Sequence, residues 1–178
     1  VHLAAVEAVR GMGSSAAVPE FLTRIAELLE DERGHVRCAA ALAVGGMGSS
    51  AAVPEILTRI AKLLEDERAY VRSAAAEAVE RMGSSAAVPE ILTRIAELLE
   101  DEDEYVREAA AKAVGGMGSS AAVPEILTRI AKLLKDEGLM VGLEAAVAFD
   151  AISRDCRLFR RGSTLTAERL ATLSDPTR

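Results

Sequence analysis

The chain has 178 residues, half of them hydrophobic but only 3% aromatic and none tryptophan. Its core must therefore be Ala, Val, Leu, Ile and Met between closely packed helices. A net charge of −7 argues against nucleic-acid phosphate as the main partner, because such binders carry a basic stripe. No run approaches the ~18 uncharged apolar residues of a spanning helix; residues 139–149 are short and include Glu144.

In chain order, residues 1–12 read as the second helix of a truncated repeat, its edge free to self-associate or to join a longer chain. One unit then recurs. The block SSAAVPE(F/I)LTRIA(E/K)LL starts at Ser14, Ser49, Ser84 and Ser119, a period of 35. A period of about 20–50 residues marks units that bury their apolar faces by stacking on one another. The units span residues 13–47, 48–82, 83–117 and 118–152, the last degenerate, and residues 153–178 match none of them.

Within unit 48–82, Gly48 suits a left-handed helix stop, and Ser49 or Ser50 suits a cap on the next helix, worth about 1 kcal/mol. Val53, Ile56, Leu57, Ile60, Leu63 and Leu64 form an apolar stripe at helical spacing, with Glu55, Arg59 and Lys62 opposite. Pro54, just past the first turn, is expected to bend this helix rather than break it. Residues 65–69 form an acidic turn. A second helix follows from about Tyr70, with Val71, Ala74, Ala75, Ala78, Val79 and Met82 on its apolar side. Each unit is a helix hairpin, and the array is all-α.

The ends differ. In the fourth unit Asp136 persists, but Gly142 replaces the arginine of the other copies and Leu139, Met140 and Phe149 enter. Six arginines against Asp155, Glu168 and Asp175 give residues 153–178 a net charge of +3, leaving −10 on residues 1–152. Thr166 is placed to cap a short helix over residues 167–173, so this segment is either a lid on the stack or a loose basic tail. Cys38 and Cys156 lie about three repeats apart, roughly 10 Å per layer. That exceeds the ~7 Å a disulfide allows, so free thiols and a reducing, cytoplasmic setting are expected.

The segments DERGHVRCAAALAVGGMG, DERAYVRSAAAEAVERMG and DEDEYVREAAAKAVGGMG resemble the inner helix of HEAT and HEAT-like repeats, with the frame D-x-x-x-x-V-R, an Ala-rich run and a closing Gly. The resemblance covers about residues 1–152. It implies a right-handed α–α superhelix, an α-solenoid of stacked hairpins. It also implies a charge ladder between units built from Asp31, Arg37, Asp66, Arg72, Asp101 and Arg107, with His2 standing where a further arginine would be. The second helices are implied to line the concave side. The bacterial repeat is usually about 31 residues, so the longer unit suggests one extra turn in the first helix.

Comparing copies, the first helix hardly changes while one stripe of the second helix does. That stripe comprises His35, Cys38 and Leu42, then Tyr70, Ser73, Glu77 and Arg81, then Tyr105, Glu108 and Lys112. Partner recognition and free drift of exposed positions both account for it. Recognition is favoured because the polar face of the first helix (Glu55, Thr58, Arg59) is exposed too yet stays constant. Tyr70 and Tyr105 are candidate anchors, since tyrosine buries area at low entropic cost; covering the end of a neighbouring helix is their structural alternative.

Catalytic motifs are missing from the sequence: no HExxH, CxxC, GxSxG or GxxxxGK[ST] occurs, and His2 and His35 are the only histidines. GMGSS reads as helix stop plus cap. These patterns point to a non-catalytic protein-binding scaffold with no cofactor and no metal. By resemblance it would serve as the recognition arm of a larger signalling protein. The alternatives are a nucleic-acid-binding array using Arg154, Arg157, Arg160 and Arg161, or a relative of the bilin lyases.

Overall fold

The computed structural model describes residues 13–135 and 138–155. Expectations that fall on residues 1–12, Asp136, Cys156 and the segment 167–173 lie outside them. Eight α-helices occur among the described residues: α1 (Pro19–Leu28), α2 (Gly34–Met47), α3 (Pro54–Leu63), α4 (Ala69–Met82), α5 (Pro89–Leu98), α6 (Glu104–Met117), α7 (Pro124–Leu133) and α8 (Leu139–Asp155). They form stacked hairpins, an α-solenoid with no strand among the described residues.

Alanine decides how the layers stack. Ala40, Ala41, Ala75, Ala76, Ala110 and Ala111 are wholly buried, and their methyls let each second helix lie directly against the next along α2, α4, α6 and α8. The first helices touch one another less. Between the two rows sit Ile60, Leu64, Ile95, Leu99 and Ile130, with Met47, Met82 and Met117 closing the ends of the second helices. Each fully buried aliphatic side chain contributes about 1.5–3 kcal/mol.

The junction between units differs from the sequence expectation. Ser49 and Ser50 cap no α-helix; they lie in a 3₁₀ turn over Gly48–Ala51. Ala52, at φ −76° and ψ 53°, then makes an inverse γ-turn in which the Val53 N–H donates to the Ala51 carbonyl at 2.8 Å. Val53 is extended, as a residue before proline must be. Pro54 opens α3 at its first position, where the missing N–H costs nothing, so it neither bends nor breaks the helix. The extra residues of the long repeat therefore sit in this turn, and the first helix keeps only ten residues. Gly48 stops α2 at φ 60° and ψ −143°, a region that only glycine reaches cheaply.

Candidate functional site

Charged side chains set the register on which the second helices rest. Arg37 Nε lies 2.7 Å from Asp66 Oδ2 in the following unit, and Arg72 holds Asp101 through two bonds of 2.9 Å. These pairs join residues 29 apart. The six-residue spacing serves a different contact, in which Arg37, Arg72 and Arg107 donate to the backbone carbonyls of Asp31, Asp66 and Asp101. Each aspartate also accepts an N–H two residues on, which fixes the turn into the second helix. Hydrogen bonding to Asp101 raises the Arg72 pKa further, although burial opposes it.

A second set of charges runs along the first helices. Lys62 and Arg59 reach Glu30 at 3.1 and 3.5 Å, Arg94 reaches Glu65 at 2.8 Å, and Lys132 reaches Glu100 at 2.9 Å. Thr23, Thr58, Thr93 and Thr128 each donate to the carbonyl of the proline four residues earlier. The polar face that stays constant between copies is thus tied into the stack. Its constancy has a structural cause, and the contrast with the varied stripe no longer separates recognition from drift.

Geometry does bring part of that stripe together. A groove of about 380 Å³ lies between α4 and α6, lined by Ser73, Glu77, Glu80, Tyr105, Glu108, Ala109 and Lys112. Arg81 pairs with Glu77 at 2.5 Å and Lys112 with Glu108 at 2.6 Å. Glu80 has no ion pair among the described residues. Burial raises its pKa above the usual glutamate value, with Glu77 and Glu144 adding to the rise against Lys112 and Arg81. The groove is therefore acidic beyond what its own cations offset. Tyr105 stands at its rim, 68% exposed.

The remaining stripe residues are placed otherwise. Tyr70 lies over the start of α2, where a Cβ on Gly34 would come within 2.6 Å of its hydroxyl. Leu42 packs against the core. Cys38 is a half-buried free thiol, its pKa raised by burial and then by Glu77, so it is a poor nucleophile. His35 is exposed on α2, outside the groove lining.

Sequence reasoning missed the burial of Glu80, the part played by Glu144 and the continuation of the stripe into α8. Adding one period of 35 to Tyr105, Glu108 and Lys112 gives Met140, Leu143 and Val147, all exposed. The degeneracy of the fourth unit hid that register.

A raised folded-state pKa means that ionised Glu80 works against folding. Stability linked to it is complete below the ordinary glutamate range and is lost as pH rises through the raised value. Glu80→Gln is accordingly expected to raise the thermal midpoint at pH 7 and to leave it unchanged at pH 3, read by circular dichroism.

The family model described as HEAT repeats matches residues 24–97 and 56–148. A search of curated protein sequences finds no match. Among solved structures, a designed armadillo repeat protein in complex with the peptide (KR)4 superposes with a TM-score of 0.71 at 19% identity, covering 96% of this chain and 80% of that one. An engineered protein gives 0.64 at 22% identity over 83% and 72% of the two chains. A second designed armadillo protein gives 0.64 at 19% over 97% and 87%. Solenoids of this type typically act as non-enzymatic interaction scaffolds. Among the described residues no helix is long and apolar enough to cross a membrane.

Proposed function

The chain belongs to the HEAT-repeat family, and from that premise we propose that it is a non-catalytic scaffold that takes a basic protein segment along the exposed face of its second helices, the concave side of the array. The observation that carries this reading is the acidic groove between α4 and α6 with Tyr105 at its rim. Arg81 and Lys112 already offset Glu77 and Glu108. A lysine or arginine entering beside Glu80 supplies the cation that the groove lacks, and its charge offsets the desolvation that raises the Glu80 pKa. Tyr105 adds a ring face on which a guanidinium or ammonium group rests favourably. The designed armadillo neighbour, bound to a peptide of alternating lysine and arginine, supports the reading by its fold and by the charge of its ligand. Such an array suits the recognition arm of a larger signalling protein.

Fluorescence anisotropy with labelled (KR)4, a neutral Gly-Ser peptide and an oligoglutamate tests this directly. The basic peptide alone is expected to bind, more weakly as salt rises. Tyr105→Ala should weaken it about tenfold, the 1.4 kcal/mol scale of one aromatic anchor, and Glu80→Gln should weaken it too. Equal binding of basic and neutral peptides, or no change in Tyr105→Ala, would rule the groove out.

A further inference from the structure

One unit beyond the acidic groove, the exposed face of the second helices changes character. A Cβ on Gly115 would face Ala148, as one on Gly45 would face Ala78. Both pairs lie 33 residues apart, so α8 packs on α6 in the register in which α4 packs on α2. Shifting the groove lining by one period of 35 then gives what borders α6 and α8. Met140 takes the place of Tyr105, Leu143 that of Glu108 and Val147 that of Lys112, while Gly115 takes that of Glu80. The carboxylate that sets the acidic groove apart has no counterpart at this step, and three apolar side chains enter instead.

Met140, Leu143 and Val147 are 48%, 54% and 53% exposed, and spacings of three and four put them on one helical face. A continuous apolar strip rimmed by polar groups marks an interaction surface, unlike single exposed residues. Glu144 ties the strip to the groove. Hydrogen bonding to Glu108 raises the Lys112 pKa against burial, and the charges of Glu108, Glu144 and Glu80 add to the rise. Glu144 on α8 is thus close enough to act on the groove, and the strip and the groove adjoin.

Given the groove's proposed preference for a basic segment, on which this rests, we infer that the bound segment also carries an apolar side chain about three residues from its lysine or arginine, seated on Met140, Leu143 and Val147. Spacing sets that pattern. Neighbouring helices pack about 8–10 Å apart, and a polyproline II peptide advances about 3.1 Å per residue with about three residues per turn. Side chains three residues apart therefore leave one side of the peptide about 9 Å apart, the step from one helix to the next. Charge selects such a segment over a second copy of the chain, which would bring a net −7 to an acidic surface. Three half-exposed side chains also fall well short of the about 800 Å² per partner that a specific dimer buries.

Fluorescence anisotropy on the full chain with three labelled peptides tests this. The first is Leu-Gly-Ser-Lys-Arg-Gly-Ser-Leu, in which a leucine lies three residues from a basic residue on either side, so chain direction does not matter. The second has Ser for both leucines, and the third keeps the leucines but has Gly and Ser for Lys and Arg. The first is expected to bind about tenfold more tightly than the second, the gain from seating one apolar side chain, and the third more weakly than the first. In Leu143→Ser/Val147→Ser, whose replaced side chains are exposed, the tenfold ratio should fall to about one, with helicity checked by circular dichroism. A ratio near one in the unaltered chain, with both basic peptides still bound more tightly than the uncharged one, would overturn the strip and leave the groove standing. Basic peptides that bind no better than the uncharged one would overturn both. A tenfold ratio that survives in the double variant would put the leucine elsewhere and overturn the inference too. Self-association in light scattering that the double variant abolishes would assign the strip to a second copy, with the same consequence.

Discussion

Asp101→Ala is expected to lower the free energy of unfolding by about 3 kcal/mol, at the lower end of what breaking a buried ion pair costs. The arginine it abandons cannot follow its charge into water. Arg72 is only 13% exposed and Asp101 10%, and the guanidinium is also held by the Asp66 carbonyl. The same change removes the acceptor for the Asp103 N–H at the entry to α6. Asp101 thus closes a turn and ties two units together with one carboxylate. Because stability in a repeat array depends on the interfaces between neighbours, urea denaturation of the variant should broaden, with the two sides of the broken interface losing cooperativity. The double variant Arg72→Leu/Asp101→Leu orphans no charge and is expected to lose less than the single change. A shift below about 0.5 kcal/mol for Asp101→Ala would place the pair among ordinary surface contacts.

The parts of this molecule that the sequence makes legible are those that depend on period. Val71, Ala75, Val79 and Met82 recur at helical spacing and are buried as that spacing requires. The start of the first helix was less legible. Ala51, Ala52 and Val53 are apolar and continue the stripe on paper, yet they form a 3₁₀ turn and an inverse γ-turn that no periodicity reveals. The proline was the better guide, since its geometry favours the first helical position.

Charge partners were legible only in part, because an ion pair joins residues 29 to 32 positions apart while the motif displays spacings of six. Glu30 with Arg59 and Lys62 shows the consequence: a face that looks free in sequence is engaged in the fold. The groove was least legible. The varied positions pointed to Tyr105, Glu108 and Lys112, but the burial that sets Glu80 apart arises only when α4 and α6 pack side by side.

Gly116→Ala sets helix propensity against packing, and packing is expected to win. On propensity alone, alanine in place of glycine near the end of α6 should stabilise by up to about 1 kcal/mol. The neighbouring chain prevents that. A Cβ at Gly116 would overlap the carbonyl oxygen of Glu80 and lie 3.0 Å from both the Cα and the carbonyl carbon of that residue. These are backbone atoms at the end of α4, and they cannot rotate away as a side chain would.

The alternation of the copies has its reason here. The bulky pair Glu80–Arg81 lies between Gly45–Gly46 on α2 and Gly115–Gly116 on α6, and a Cβ on Gly45 would stand 3.2 Å from both Ala78 Cα and Arg81 Cδ. Gly116→Ala must push α4 and α6 apart, at about 2 kcal/mol for an overpacked contact. It must also reshape the groove that those helices enclose, so affinity for (KR)4 should fall with stability. Gly115→Ala is the control. Its Cβ would meet Ala148 at 3.6 to 3.9 Å, ordinary contact distance, and it is expected to stabilise by about 0.5–1 kcal/mol. Thermal melts that rank the two variants in the opposite order would mean that α4 and α6 do not approach this closely, and the groove between them would lose its walls.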